Sequence, residues 1–580
     1  MVHTDQSAMA TVTINETEMM VMAEMDLSAV SGVNAAHIHA GEVGSNGPVA
    51  FGFEAANDDG IWTIEGESIT EAEHEALLAG NWYVNVHTED FPDGELRGQI
   101  LTDTQMLQVF TLAGEQEVPA VATDAYGEGY MMYDSSNGAL TLNVWTWDLD
   151  GNAAHIHEAE AGLNGEVIVG LEMNSDTDGL WQLPEGTMLG SDDVSSLEMG
   201  NMYVNVHSDA HPDGEIRGQI LPEDYALVLF EMTPGQEVPR ADSHASGLVY
   251  ATLNTETGGL RLNAWAMGMD TADAHIHEGG IGENGGVIVG LEENMDHDGL
   301  WQTPMSTELD SETLELLLSG GHYVNMHSDD FPDGEIRGQI TPAPWTVLDF
   351  ALSGYQEVPA VETDAEGDGY ALVNTETGDL MMVINTRDLD DADAAHIHTG
   401  VAGVNGGVVV GLDQDDADAS IWRLPADTSL DSETLAEFLD AGHYVNVHSP
   451  EFPDGEIRGQ VVTSDHVMFT LMLSGDEEVP SVDTMASGEG AFTLQTRTGS
   501  LRGAFTTSDI DSNAAHIHQA PAGENGPVVV ELEATDDGYR VPAEAMIDEE
   551  LIEIMLDEGH YVNVHSDAHP DGEIRGQITQ

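Results

Sequence analysis

Short runs of β-branched, aromatic and other apolar residues punctuate this chain, each bounded by Gly, Asn, Asp or Pro. Val109–Val121 (VFTLAGEQEVPAV), Gly127–Asp134 (GEGYMMYD), Ala139–Leu149 (ALTLNVWTWDL) and Gly165–Met173 (GEVIVGLEM) are examples. Runs of this length between turn-forming residues predict antiparallel strands. One short helix is predicted ahead of each Tyr-Val-Asn-(Val/Met)-His string. Thr70 and Glu73 have the spacing of a capping box before Glu75–Gly80 (EALLAG), and Asp310–Gly321 (DSETLELLLSGG) closes on glycines that suit a helix end. Many short strands with frequent turns indicate a β-sandwich.

The pattern repeats. Ala-His-Ile-His occurs at His37/His39, His155/His157, His275/His277, His396/His398 and His516/His518, at spacings of 118, 120, 121 and 120 residues. An Asn-Gly turn follows each, then a string such as YVNVHSDAHPDGEIRGQI. A period near 120 is too long for a solenoid coil and is the size of a whole domain. The sequence therefore reads as an all-β tandem array of five antiparallel sandwiches, each with one short helix. The beads are placed at 1–103, 104–223, 224–343, 344–463 and 464–580. The links between them (LTDTQ, LPEDY, TPAPW, TSDHV) are short, which predicts a fairly stiff array.

Beads two to five open with a strand carrying Glu-Val-Pro, at Glu117–Pro119, Glu237–Pro239, Glu357–Pro359 and Glu478–Pro480. Bead one starts on a segment that aligns with the residues after that strand, and no secretion leader precedes it. The expectation is a segment of a longer chain, or a bead completed by a strand from elsewhere.

Charge narrows the function. With 108 acidic residues against 12 basic ones, all Arg, the net charge is −96. Nucleic acid is excluded as a partner because phosphate binding needs clustered cations. The same excess argues against docking on an anionic membrane surface, and no apolar run reaches the roughly 18 residues of a spanning helix. Dense like charge destabilises a compact fold in dilute buffer and is screened at high salt, so the composition suggests a salt-rich environment. Calcium is the competing reading, with Asp93, Glu95 and their counterparts in the Pro-Asp-Gly-Glu turns as candidate ligands. The absence of Cys removes disulfides, thiolate metal sites and Cys nucleophiles. No Ser-His-Asp arrangement and no phosphate loop is apparent. The 26 Met are read as core filling.

The histidines carry the candidate chemistry. In a strand, side chains i and i+2 share a face about 7 Å apart, so each His-x-His pair can address one ligand. A third His follows 47 to 50 residues later, with an Arg ten residues beyond it. The sets are His37, His39, His87 and Arg97; His155, His157, His207 and Arg217; His275, His277, His327 and Arg337; His396, His398, His448 and Arg458; and His516, His518, His565 and Arg575. Three neutral imidazoles suit copper or zinc, one ion per bead. Asn85, Asn205, Asn325, Asn446 and Asn563 are candidates to orient the rings. The alternative is structural: the rings bond backbone carbonyls or the Pro-Asp-Gly-Glu loop, and the Arg clamps the Glu two residues before it. His322, His443 and His560 lie five residues before the third His, hence on the opposite face, and are assigned to the surface.

The strings F-x-L-x-G-x-Q-E-V-P, A-A-H-I-H, N-G-x-V and Y-V-N-V-H-S-x-x-x-P-D-G-E-I-R-G-Q resemble the CHRD (chordin-like) domain over essentially the whole chain. That resemblance implies an extracellular β-sandwich and says little about chemistry. A His-x-His strand, a later Val-x-Val-His strand and a following Arg also resemble copper–zinc superoxide dismutases. That second resemblance implies that the three His bind copper and that the Arg guides an anion, although the disulfide and the zinc loop are lacking. The expected function is a secreted, salt-adapted structural repeat protein at the cell surface. It is expected to associate head to tail or with other surface proteins, and its beads can each hold a metal. The alternative is a copper-only dismutase-like enzyme or an extracellular or periplasmic copper-binding protein.

Overall fold

A computed structural model of the chain describes residues 4, 6–55, 60–184, 186–389, 391–463 and 465–579. Bead two shows how the pattern folds. Its elements are β1 (Gln105–Ala113), β2 (Tyr126–Asp134), β3 (Ala139–Trp147), β4 (Gly151–Glu158), β5 (Glu166–Gly170), β6 (Glu172–Met173), β7 (Leu180–Gln182), α1 (Ser191–Glu198), β8 (Met202–Ser208) and β9 (Ile216–Ile220). All pairings are antiparallel, in the order β5-β4-β8-β9-β1-β2-β3-β7-β6. Two layers result, β5-β4-β8-β9 and β1-β2-β3-β7-β6, joined where Arg217 pairs with Ala113. Period-two alternation sends Leu112, Leu142, Val144, Ile156, Val204 and Val206 into the space between the layers.

The same plan recurs in bead five as a nine-stranded sheet, and in bead four the strands close into a barrel. Beads one, four and five each bury a core cluster of their own. The helices form where the sequence places them. Glu71–Leu78 begins on the Thr70/Glu73 capping box, and Ser311–Leu318 is capped by Asp310 and followed by Gly320 at φ +77°. Glu-Val-Pro is not part of the opening strand. β1 ends at Ala113, a single 3-10 turn spans Gly114–Gln116, and Glu117 follows in extended conformation.

His322, His443 and His560 correct a sequence reading. They do lie on the face opposite the third His, but each is fully buried. Alternation tells which residues share a face. It does not tell which face is wet, and here the opposite face is the one turned to the sandwich core.

The chain divides into two compact units. One comprises Met1–Leu227 with Tyr250–Asn263 and Ser306–Glu308; the other comprises Val228–Val249, Ala264–Met305 and Leu309–Gln580. A recurring joint links beads inside each. In the first unit Tyr250 Oη donates to the Glu117 carbonyl at 2.6 Å, and Asn263 Nδ2 to the Ala161 carbonyl at 2.7 Å. In the second unit Tyr370 Oη donates to the Glu237 carbonyl at 2.7 Å, and Asn385 Nδ2 to the Gly282 carbonyl at 3.3 Å. No helix among the described residues is long and apolar enough to cross a membrane.

Candidate metal centre

The site lies on the outer face of β4 and β8. Ala154 and Ile156 point into the core, which turns His155 and His157 outward. The register sets His155 opposite Asn205, His157 opposite Tyr203 and Ala153 opposite His207. His207 is thus the diagonal neighbour of His155, and the two rings meet with Nδ1 of His155 3.1 Å from Nε2 of His207. The ligand atoms of His155, His157 and His207 all lie within 4.8 Å of one another.

Two of the rings are aimed by backbone. His157 Nδ1 donates to the Gly165 carbonyl at 3.0 Å, and His207 Nδ1 to the Pro212 carbonyl at 3.1 Å. A proton on Nδ1 leaves the Nε2 lone pair of each ring free, which is the tautomer a metal ligand needs. His157 Nε2 is buried and has no hydrogen-bond partner, and the same holds for Nε2 of His39, His277, His398 and His518. Burial foremost, together with the neighbouring imidazoles, holds His157 and His207 below the ordinary histidine range. The rings are therefore neutral at pH 7.

The Asn-Gly turn explains its own residues. Gly165 N–H donates to Tyr203 Oη at 3.1 Å while its carbonyl receives His157. A Cβ at Gly165 would collide with the Glu158 carbonyl oxygen, so only glycine fits. Tyr203 stacks on His157 with centroids 4.9 Å apart, and the Arg217 guanidinium lies 3.5 Å from the centre of the Tyr203 ring. Arg217 also donates to the Leu163 and Glu160 carbonyls at 2.8 and 3.1 Å. The five tyrosines, Tyr83, Tyr203, Tyr323, Tyr444 and Tyr561, form the same Arg–Tyr–His stack in every bead. The sequence reading gave them no role. Their position, four residues before the third His and hence on its face, was the available signal.

Triads with the same closeness occur at His37/His39/His87, His275/His277/His327, His396/His398/His448 and His516/His518/His565. A family model described as the CHRD domain matches residues 1–100, 109–220, 228–340, 348–461 and 469–578. The chain belongs to the CHRD domain family. No curated protein matches it. Each CHRD bead carries one triad, and these all-imidazole groups are the ones among the described residues whose atoms can converge on a metal.

Three roles expected of neighbouring residues change. Arg217, Arg337, Arg458 and Arg575 are each 1% exposed and engaged with carbonyls and a tyrosine face, so they brace the ring and are closed to an incoming anion. Arg97 of the first CHRD bead is exposed, yet makes the same stack. Asn205, Asn325, Asn446 and Asn563 do not orient the imidazoles. Each donates to the buried Glu of Glu-Val-Pro, with Asn325 Nδ2 2.7 Å from Glu237. Burial pushes the Glu117 carboxyl up to about 7 even with the Arg217 cation pulling it down. The glutamates of Pro-Asp-Gly-Glu accept from hydroxyls, Glu215 from Ser208 and Thr123, and Glu95 from Thr88 and Thr4. They are therefore tied up as latches on hydroxyls and are not clamped by the following Arg.

Proposed function

We propose that this CHRD array is a secreted, salt-adapted surface protein whose beads each hold one transition-metal ion, copper or zinc, on three imidazoles. The buried, unpartnered Nε2 of the second histidine, repeated in every bead, carries the reading. A polar nitrogen sealed from water without a partner costs about 1–3 kcal/mol, and a metal ion is the ligand that two Nε2 and one Nδ1 would satisfy together. Two Nδ1–H···O=C bonds supply the outer support that metal-bound histidines use. Copper is favoured over zinc by intrinsic affinity for nitrogen sites. The family resemblance and the acidic, Lys-free composition support the extracellular, high-salt setting. The buried arginines weaken the dismutase alternative, because that chemistry needs an open cation beside the metal.

Metal analysis of the protein as isolated, followed by calorimetric titration with Cu(II) and Zn(II) in a non-chelating buffer, tests this. The expected stoichiometry is about five per chain, falling to four in His157→Ala. A stoichiometry near zero refutes the reading and leaves the rings as structural groups.

A further inference from the structure

The triads differ in one neighbouring residue. The position paired with the third His is Ala35, Ala153, Ala394 and Ala514 in four beads and Asp273 in bead three. Asp273 precedes His275 by two residues on one strand, so it shares the face of the triad. Its Oδ1 lies 3.3 Å from Nε2 of His275. The Ala274 N–H donates to the same oxygen at 3.0 Å and holds the carboxylate in place, although the side chain is 60% exposed.

A neutral imidazole carries one ring proton, and its position decides which nitrogen can bind a metal. In beads two, four and five the first ring can satisfy itself without one. A proton on Nδ1 of His155, His396 or His516 is donated to Nε2 of His207, His448 or His565, in each case 3.1 Å away. A metal ion entering there must break that bond and shift the proton before it gains the Nδ1 lone pair. In bead three the Asp273 carboxylate, which only accepts, draws the His275 proton to Nε2. The Pro332 carbonyl holds the His327 proton on Nδ1 at 3.1 Å, and the Gly285 carbonyl does the same for His277 at 3.0 Å. All three tautomers are then those of a ligand. The lone pairs of His275 Nδ1 and His327 Nε2 face one another across 3.3 Å, and a cation between them turns repulsion into coordination.

We propose that Asp273 is a positioning residue that makes the triad of bead three a tighter transition-metal site than those of beads two, four and five. The proposal rests on the metal reading above. A carboxylate behind a metal-bound histidine is worth about 10–100-fold in affinity, so the array binds in steps and not as equal copies.

Hydrogen exchange of the full chain, followed by mass spectrometry while Cu(II) is raised in a non-chelating buffer at about pH 7.5, reads each bead separately. Protection of Thr271–Glu278 and His322–Ser328 in bead three should reach its midpoint at about tenfold lower free Cu(II) than that of Gly151–Glu158 and Met202–Ser208 in bead two. Asp273→Ala should erase the difference. Asp273→Asn keeps an accepting oxygen without the charge and should retain part of it. Ala153→Asp should carry the advantage to bead two, a gain that a merely structural aspartate would not give. Equal midpoints in the unaltered chain, an unchanged difference in Asp273→Ala, Asp273→Asn falling to the alanine level, or no gain from Ala153→Asp each overturn the proposal. Copper binding that persists in these cases leaves the metal reading standing, whereas a chain in which no bead responds to Cu(II) overturns both.

Discussion

Replacing His560 by Met should stabilise bead five, and more so in acid. The imidazole is fully buried and neither ring nitrogen has a partner. Burial alone pushes its pKa down to about 4 from the ordinary 6.5. At pH 7.5 the ring is neutral in both states, and its cost is the desolvation of unpartnered nitrogens, about 1–3 kcal/mol. Below pH 6.5 the unfolded chain takes up a proton that the folded bead refuses. Stability therefore falls as the pH drops from about 6.5 to about 4 and levels off below. The two pKa values are about 2.5 pH units apart, which at 1.36 kcal/mol per unit is about 3.4 kcal/mol in full and about 2 kcal/mol at pH 5. Methionine has no such dependence, and bead two already carries Met202 at this position, 1% exposed. Hydrogen exchange of the strand His560–Ser566, corrected for intrinsic rates, reads the opening free energy of this bead within the intact chain. The gain from His560→Met should be about 2 kcal/mol larger at pH 5 than at pH 7.5. An equal gain at both values would mean the buried ring is not kept neutral, and the reasoning fails.

Two further outcomes can be checked on the same protein. Thermal melting should rise steadily between about 0.05 M and about 2 M NaCl as screening removes carboxylate repulsion; a midpoint that ignores salt but jumps with millimolar calcium would point to bound ions instead. Gly165→Ala places a Cβ against the Glu158 carbonyl, and should cost bead two about 1–3 kcal/mol by hydrogen exchange while lowering metal stoichiometry from about five to four.

What the sequence made legible was local or periodic. The beads follow from the recurrence of Ala-His-Ile-His, the helix at Glu71–Leu78 from its capping box, and the shared face of His155 and His157 from strand alternation. The third His was reachable because its strand carries its own repeated string. What stayed hidden depends on which strands become neighbours. Asn205 looked like a ring-orienting residue because it lies on the strand of the third His, beside the His-x-His strand, but the Glu117 carboxylate, brought in from far along the chain, takes its amide. Arg217 looked open to an anion because no pattern reveals that β1 and the Asn-Gly turn enclose it. The burial of His560 was missed for a related reason: a strand in a sandwich has an inner face, and the position that is His in three beads is Trp82 and Met202 in the other two, an apolar pair that marks that face as dry.

The joint in which a tyrosine of one bead bonds the glutamate carbonyl of the bead before it has a genetic consequence. Donor and acceptor recur at nearly constant spacing, so excising residues 224–343 would bring Tyr370 to the Glu117 carbonyl in place of Tyr250, like replacing like. Unequal recombination among beads two, three and four can then lengthen or shorten the array by whole periods without inventing a new contact, whereas bead five, with Ala491 at the tyrosine position, cannot take the place of either donor.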